Sequence, residues 1–418
     1  MICLPFLTVC AAAQTGTLNT LVDFPIDDGQ PEVGVIIGPG GVLYGTNWRG
    51  GDVYSLTPPS SGRGWAYGNL YTFPTIWVGS AGYSVSPNNL AMDRNGVLYA
   101  TNFSGGILTG PCAHPLVGCG SVYSLTPPAP SGGSWTFTDI YEFTGGDDGA
   151  EPGGGVVIGS GGVLYGTTDV KGSAGLGTVY AMTPPASAGG AWTQVTIHTF
   201  TGPPDGSLPE GTLTIASNGV LYGTTCNGGT AQRGTVFSLT PPTSPGGEWS
   251  ETVLYSFIGG TGGSVPNGGV LLGPGDVLYG STRYGGASNG GVVYQLTPPA
   301  QSGGSWTETV LHSFHLVGKF GIAPGPLVLG PNAALYGVTQ RGGTYYQGSV
   351  FALTPPASAG SAWNFLTIYS FDAPGGNSPY SGYWTPPEAL AVGAGGLLYG
   401  TTYFGGTTDD GIVFSLHP

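Results

Sequence analysis

Carboxylates that stand beside glycines are the residues of this chain best suited to chemistry. Carboxylate and carbonyl oxygens are the ligands that Ca²⁺ prefers, although the spacing here matches no EF-hand. Two carboxylates that converged across the fold could instead cleave a glycosidic bond. Because Asp and Gly are also ordinary turn formers, a structural role in turns is the favoured interpretation. The Ca²⁺ candidates are Asp27, Asp28, Asp147, Asp148, Asp205, Asp409 and Asp410, and no other cofactor is expected.

Aromatic residues outside any periodic pattern form a second candidate set. Exposed aromatic rings on rigid loops suit stacking on a sugar ring or packing against a protein partner. The alternative is that these rings only cover longer loops. The set comprises Trp48, Trp77, Tyr83, Tyr383, Trp384, Tyr403 and Phe404.

Motifs of nucleophilic, zinc or phosphate chemistry are absent from the sequence. There is no G-x-S-x-G nucleophile, no H-E-x-x-H and no phosphate-binding loop. His198 and His312 stand where equivalent segments carry Tyr, which indicates substitutions at a framework position. His114, His315 and His417 share no motif. The sequence therefore predicts no catalytic residues and leans towards a protein that is not an enzyme.

Composition and charge narrow the class of protein. Only 7% of the 418 residues are charged, and 8 Lys and Arg against 22 Asp and Glu give a net charge of −14. Nucleic acids and anionic membrane surfaces need a basic footprint, so neither is an expected partner. The chain has 81 Gly and 36 Pro, yet 40% of it is hydrophobic and 11% aromatic. This combination is typical of many short strands joined by tight turns, and the charge-poor surface suits an extracellular or self-associating protein.

The N-terminus reads as a signal peptide covering residues 1–13. An apolar run ends in Ala11-Ala12-Ala13, an A-x-A cleavage pattern, although the basic n-region is missing. No later stretch is apolar for the roughly 20 residues that a membrane helix needs, so membrane insertion is not expected. We therefore expect a secreted or cell-surface protein.

Three cysteines follow that segment. Cys112 and Cys119 bracket a short insert and would pair in an oxidising compartment. A zinc site is the less favoured alternative, since only His114 lies nearby. Cys226 replaces a variable loop residue and is expected to be a lone thiol.

One sequence motif repeats along almost the whole chain. Within residues 153–200 it predicts four strands, at 155–158, 163–167, 177–182 and 192–200, which we label A to D. No stretch shows a sustained helical period. Four-stranded units of this kind repeated around an axis form a propeller, so the predicted fold is all-β, a single seven-bladed β-propeller over residues 14–418. The Tyr of strand B recurs seven times, at Tyr44, Tyr99, Tyr165, Tyr222, Tyr279, Tyr336 and Tyr399.

The phase of the repeat predicts how the ring closes. The Phe that ends strand D also occurs seven times, and its first copy, Phe24, precedes the first Leu-Tyr. The sequence stops after Phe414, at the end of a strand C. Residues 16–24 therefore supply the missing strand D of blade 7, which removes the exposed edges of an open array.

Residues 221–239 carry Leu-Tyr-Gly-Thr-Thr, then Gly-Gly, then Gly-Thr-Val-Phe. With these motifs the repeat resembles the GloVer repeat of bacterial surface proteins. The resemblance extends over nearly all of residues 14–418 and implies a secreted or surface propeller of bacteria. It brings no assigned activity and no catalytic residues.

The exceptions to the repeat predict where a ligand would bind. The A–B turns and C–D loops are nearly uniform, whereas the D–A and B–C loops, on the opposite face, vary. Binding sites concentrate on loops held by a rigid scaffold. The unpatterned aromatics fall in blades 7, 1 and 2, which adjoin once the ring closes. We therefore expect a non-catalytic binding protein for a glycan or a protein, with a structural subunit of an extracellular assembly or a carbohydrate-active lyase or hydrolase as alternatives.

Overall fold

The fold consists of short antiparallel strands arranged as blades. The computed structural model describes residues 16–25, 29–31, 33–48, 50–60, 64–74, 76–78, 81–83, 87–107, 118–129, 132–187, 189–244, 246–301, 303–315, 322–358, 360–371 and 390–418. These residues form seven antiparallel sheets of four or five strands and no α-helix. The predicted seven-bladed β-propeller is therefore confirmed.

Each blade follows the order A, B, C, D from the inner to the outer strand. The A strands are Ile36–Ile37, Ala91–Met92, Val157–Ile158, Thr214–Ile215, Leu271–Leu272, Val328–Leu329 and Ala391–Val392. The B strands are Leu43–Asn47, Leu98–Asn102, Leu164–Thr168, Leu221–Thr225, Leu278–Gly285, Leu335–Arg341 and Leu398–Thr402. The C strands are Asp52–Thr57, Ser121–Thr126, Thr178–Thr183, Thr235–Thr240, Asn289–Thr297, Ser349–Thr354 and Ile412–His417. The D strands of blades 1 to 6 are Ala66–Thr72, Thr136–Glu142, Thr193–Thr199, Ser250–Ser256, Thr307–His315 and Asn364–Ser370.

Short elements complete the ladders. Five A–B turns are single 3₁₀ turns, at Pro39–Gly41, Ser160–Gly162, Pro274–Asp276, Pro331–Ala333 and Ala394–Gly396. On the opposite face, Gly263–Pro266 and Ile322–Pro324 add to the B strands of blades 5 and 6. Gly206–Ser207 pairs with Asn227–Gly228, and Ile76–Val78 pairs with Ala81–Tyr83.

Strand A is shorter than the sequence predicts, because the residues before it crowd around the propeller axis. The predicted strand 155–158 is reduced to Val157–Ile158. Before the corresponding strands of blades 4 and 5, a Cβ on Gly211 would lie 2.7 Å from the backbone of Gly268, and one on Gly269 would overlap the carbonyl oxygen of Thr212. The inner segments of neighbouring blades therefore touch each other directly, which only glycine permits.

The hydrophobic core lies between blades. At every blade boundary the Phe at the end of strand D packs against a buried aromatic ring of the next strand C, mostly edge to face, with centroids 5.0 to 5.7 Å apart. Such aromatic pairs add stability beyond the area that they bury. The pairs are Phe24–Tyr54, Phe73–Tyr123, Phe143–Tyr180, Phe200–Phe237, Phe257–Tyr294, Phe314–Phe351 and Phe371–Phe414.

The predicted closure is present. Thr17–Asp23 pairs antiparallel with Ile412–His417 and serves as strand D of blade 7. Phe24 then packs on Tyr54 of blade 1. The boundary between blades 7 and 1, which we call the seam, therefore has the same side-chain contact as the other boundaries. The described residues include no helix that is long and apolar enough to cross a membrane.

Candidate functional site

One position in each blade forms a ring on the D–A/B–C face. It is the sixth residue counted from the Leu that opens strand B, and it follows a residue that is buried in all seven blades. Its chemistry changes from blade to blade while the strand before it is nearly constant. We call these seven residues the B–C ring: Trp48, Phe103, Asp169, Cys226, Arg283, Gln340 and Tyr403.

Blades 7, 1 and 2 contribute the aromatic arc of the ring, Tyr403, Trp48 and Phe103. The Trp48 and Tyr403 rings lie 6.5 Å apart with an interplanar angle of 36°, and Tyr403 meets Phe404 edge to face at 4.6 Å. Tyr403 is only 7% exposed, whereas Trp48 is 39% exposed. The structure thus brings three of the predicted site residues together and adds Phe103, which the sequence interpretation did not select.

Hydrogen bonds hold the backbone of Trp48 at both its N–H and its carbonyl group. Its N–H donates to the carbonyl of Gln30 at 3.1 Å, and its carbonyl accepts from the N–H of Gly51 at 3.3 Å. Trp48 therefore presents an exposed indole beside the buried ring of Tyr403, from a backbone that is hydrogen-bonded at both polar groups.

The other predicted aromatics are less fully described. Trp77 and Tyr83 lie in the short hairpin before blade 2, where Trp77 pairs with Gly82. Tyr383 and Trp384 lie outside the described residues. Their participation in a site stays a prediction.

The carboxylates proposed for Ca²⁺ hold loops together where they are described. Asp148 accepts hydrogen bonds from the Tyr141 hydroxyl, from the N–H and hydroxyl of Thr144, and from the N–H of Gly146. Asp409 accepts from the N–H of Gly405. These are the contacts of turn formers.

Asp205 belongs to the same group. It accepts from the N–H groups of Thr201 and Gly206 and lies 3.3 Å from Nε2 of His198. Burial would raise the pKa of Asp205, but the bonds from His198, Thr201 and Gly206 outweigh it and hold that pKa below its ordinary value.

The remaining Ca²⁺ candidates are described only in part, so a role in binding Ca²⁺ stays a prediction for them. The carbonyl of Asp147 accepts from the Thr196 hydroxyl, and that of Asp410 accepts from the N–H of Gln30. Asp27 and Asp28 lie outside the described residues. Within the described ranges no group of three His, Cys, Asp or Glu could hold a metal ion.

Blades 3, 4 and 5 place ionisable residues in the ring, a feature that the sequence interpretation missed. Asp169 is 9% exposed, and the N–H of Gly153 donates to its carboxylate. Burial first, and then the neighbouring Glu210 and Glu151, raise the pKa of Asp169 well above its ordinary value. Its Oδ1 has no hydrogen-bond partner among the described residues. A perturbed, buried carboxyl of this kind marks a candidate functional position.

Cys226 and Arg283 continue this arc. Burial, and then Glu210, raise the pKa of the Cys226 thiol, which is free and nearly fully buried. Nη2 of Arg283 donates to Oδ1 of Asn267 at 3.5 Å, while its Nε is buried without a partner among the described residues. Aligning the repeats at the sixth residue counted from the Leu that opens strand B would have shown three aromatic residues on one side of the ring and three ionisable ones on the other, with Gln340 between them.

Tyrosines in two further loops are exposed on the same face. Tyr284 of blade 5 is 45% exposed, and Tyr345 and Tyr346 of blade 6 are 52% and 63% exposed. They lie outside the predicted sector of blades 7, 1 and 2.

The two remaining predictions concern framework residues and the disulfide. His198 and His312 pack edge to face on Phe200 and Phe314 at 4.7 Å, as the corresponding Tyr255 packs on Phe257. Cys119 is fully buried, but Cys112 lies outside the described residues, so their pairing stays a prediction.

Comparison with protein families assigns the chain. The model of the Gloeobacter/Verrucomicrobia repeat matches residues 51–271 and 243–418. The chain belongs to this family. The resemblance to the GloVer repeat is thereby confirmed.

Solved structures resemble this Gloeobacter/Verrucomicrobia repeat protein in fold. A streptogramin B lyase structure matches with a TM-score of 0.55 and 14% identity, over 98% of this chain and 99% of the other. An inactive virginiamycin B lyase from Staphylococcus aureus with quinupristin matches with 0.55 and 13%, over 96% and 99%. A PQQ-bound aldose sugar dehydrogenase from Streptomyces coelicolor matches with 0.44 and 13%, over 97% and 99%. At these identities the likeness concerns the fold alone, and no curated protein matches by sequence.

Proposed function

We propose that this protein is a secreted, non-catalytic propeller that binds a glycan on its D–A/B–C face. The observation that carries the proposal is Trp48, an exposed indole that lies beside the buried ring of Tyr403 and whose backbone N–H and carbonyl are both hydrogen-bonded. A flat apolar ring with a fixed orientation can stack on a sugar ring without losing much conformational freedom.

The chemistry of the surface favours a glycan over nucleic acid. The chain carries a net charge of −14, which opposes a phosphate backbone. Aromatic rings from blades 7, 1 and 2 line one arc of the ring, while Asp169, Arg283 and Gln340 supply polar groups on the other. A site that combines apolar rings with a few fixed polar groups is the usual composition of a small-ligand site.

A glycan array with the purified chain tests the proposal. Replacing Trp48 with Ala should weaken the strongest glycan signal about tenfold, the effect of losing about 1.4 kcal/mol. Tyr346→Ala is the matched control, because this tyrosine is more exposed but lies in blade 6. Unchanged binding by the Trp48 variant would overturn the proposal, and a protein bound through Trp48 in place of a glycan would replace the ligand class.

Secretion is tested separately. If residues 1–13 are a cleaved signal peptide, the protein recovered from the culture medium should begin at residue 14. An intact N-terminus on a protein retained in the cell would contradict this part of the proposal.

A carbohydrate-active lyase or hydrolase is the second candidate function. It is favoured by Asp169, a buried carboxyl with a raised pKa beside Glu210 and Glu151. A carboxyl whose pKa is raised by burial, next to further carboxyls, is an arrangement that general acid–base chemistry can use. Release of new reducing ends from a glycan that binds, abolished by Asp169→Asn, would establish this function, and an unchanged glycan after prolonged incubation would exclude it for that ligand.

A further inference from the structure

The outer strand of each blade leaves one edge of its sheet without a partner strand. In the described sheets strand D pairs with strand C alone, in all seven blades. The outward N–H and C=O groups of such an edge can pair with a strand of another molecule, and proteins usually protect edges with charged residues, proline or a covering segment. The seven D strands contain no Lys, Arg or Pro, so other residues must protect them.

Six of the seven edges have a feature that opposes pairing with another molecule. Strand D of blade 1 contains Gly68, and glycine in the interior of a strand weakens it. In blade 6 the N–H of Gly16 donates to the carbonyl of Ile368 at 3.1 Å, so the N-terminal segment contacts this strand. The D strands of blades 2, 4, 5 and 7 contain carboxylates, namely Asp139 and Glu142, Glu251, Glu308 and Asp23.

Strand D of blade 3 has none of these features. Thr193–Thr199 reads Thr-Gln-Val-Thr-Ile-His-Thr, so five of its seven residues are β-branched and favour an extended strand. Its one ionisable side chain, His198, lies 3.3 Å from Asp205 of the same blade boundary. Val195 is 51% exposed. High β-propensity with little charge and no Pro or Gly is the composition of segments that pair between chains.

The free edge of this strand is available. Among the described residues, the backbone hydrogen bonds of Thr193–Thr199 are those of its ladder with strand C. The register of that ladder shifts between Thr196 and His198, as it does at the equivalent place in the other six blades. Residues 193–196 therefore belong to the regular part of the strand.

We propose that strand D of blade 3 pairs edge to edge and antiparallel with the same strand of a second copy of this chain, about a two-fold axis at Val195. A second copy fits because a two-fold axis uses the same edge on both molecules and closes as a dimer. The axis sets the two exposed Val195 side chains opposite each other, and Gln194 opposite Thr196 on both sides of it. Apolar residues thus face apolar ones and uncharged polar residues face uncharged polar ones.

The direction of strand D decides how the two propellers face. In each blade strand D begins after the C–D loop and ends before the D–A loop, so it runs towards the D–A/B–C face. Because the paired strands run in opposite directions, the D–A/B–C faces of the two copies point in opposite directions. The inference does not depend on the proposed function, but a dimer of this shape would let glycan sites on two surfaces be linked by one particle.

The size and charge of the contact predict a weak dimer that salt strengthens. One strand from each copy buries less surface than a standard interface, so we expect a monomer–dimer equilibrium. Each copy has a net charge of −14, and the resulting repulsion opposes association until salt screens it. A dimer held by opposite charges would respond to salt in the other direction.

Sedimentation equilibrium with the full chain at near-physiological salt tests the inference. The unmodified chain should form dimers as its concentration rises towards about 1 mM. Val195→Lys should weaken this association at least about tenfold, because the axis would place two like charges opposite each other. The added Lys lowers the net negative charge, so an effect through overall repulsion alone would strengthen association. Leu366→Lys is the matched control, since Leu366 is exposed at the same position of strand D in blade 6.

A cross-link tests the antiparallel register. Opposite residues of antiparallel strands lie within the Cα separation of a disulfide. Val195→Cys should therefore form a disulfide-linked dimer under mild oxidation. Leu366→Cys and the unmodified chain should not, and they report any contribution of the native cysteines.

Every outcome decides the inference. An unmodified chain that stays monomeric, a dimer that persists in the Val195→Lys variant, a dimer lost through Leu366→Lys, or a Val195→Cys variant without a covalent dimer would each overturn it. Because Val195 is exposed, its variants should unfold at the same urea concentration as the unmodified chain. Trp48→Ala should dimerise normally, and glycan binding by a monomeric Val195→Lys variant would leave the proposed function standing.

Discussion

Thr401 of blade 7 donates a hydrogen bond from its hydroxyl to the carbonyl of Val33 of blade 1, at 3.1 Å and across 368 positions of sequence. The same strand-B hydroxyl reaches the next blade at ordinary boundaries, from Thr101 to Gly154 at 2.9 Å and from Thr224 to Gly268 at 2.7 Å. The two ends of the chain are therefore joined by the same contact that joins consecutive blades.

Replacing Thr401 with Val should destabilise the protein by about 1 kcal/mol, because a carbonyl next to the buried strand loses its donor. Thr167 is the matched control. It occupies the same position in blade 3, but its buried hydroxyl has no partner among the described residues. Thr167→Val should leave the free energy of unfolding unchanged or raise it. Equal losses in both variants, measured by urea denaturation, would show that the contact with Val33 contributes nothing.

Tyr180→Phe should stabilise the protein by about 1 kcal/mol, since burying an unpaired hydroxyl is unfavourable. The hydroxyl of Tyr180 is fully buried and has no partner in the described part of the chain. Blade 4 already carries Phe237 at this position. Phe237→Tyr should therefore produce the opposite change, and a stabilised Phe237 variant would contradict the argument.

The stability of the protein should fall as the pH falls below about 6.5, the ordinary pKa of histidine, partly through His312. Burial, and then the charge of His315, lower the pKa of His312 to about 4. The unfolded chain therefore binds the proton first, and stability that is complete at neutral pH is lost towards the folded-state value. His312→Tyr, which installs the residue of blade 4, should flatten this dependence in denaturation curves recorded from neutral to acidic pH. A variant with the unaltered slope would show that His312 does not titrate in this way.

Residues 14–418 should contain one thiol that becomes reactive only on unfolding. Cys226 is buried, and its Sγ lies 3.8 Å from the carbonyl of Pro266. If Cys112 and Cys119 form the predicted disulfide, a thiol reagent should modify nothing in the folded protein and Cys226 alone in denaturant. Cys226→Ala should remove that signal. Three reactive thiols in the denatured chain would show that the disulfide does not form.

The architecture could be predicted because each blade repeats the same buried pattern. Phe24 was identifiable as the end of a strand D from its motif alone, and its place before the first Leu-Tyr predicted the closure. The length of strand A could not be predicted, because it depends on contacts such as that of Gly269 with Thr212, which join different blades.

The candidate site was predictable only in part. Trp48 and Tyr403 stood out because they are aromatic residues in variable loops, outside the repeated pattern. Asp169 did not stand out, because a single Asp in a variable loop is usually a turn former. Only the structure shows that Glu151 and Glu210 act on its carboxyl. The Asp147-Asp148 pair was conspicuous in the sequence but less informative, since both carboxylate oxygens of Asp148 accept hydrogen bonds within its own loop.

The seam also decides how the propeller would respond to a pulling force. Thr17 pairs with His417 and Asp23 with Ile412, so the N-terminal end of the first strand lies beside the C-terminal end of the last strand. Tension applied between them would open the antiparallel ladder one pair at a time, as in a zipper, instead of loading all pairs together in shear. Phe24 would leave Tyr54 only after the last pair had opened, so the ring should yield first at its seam and at low force.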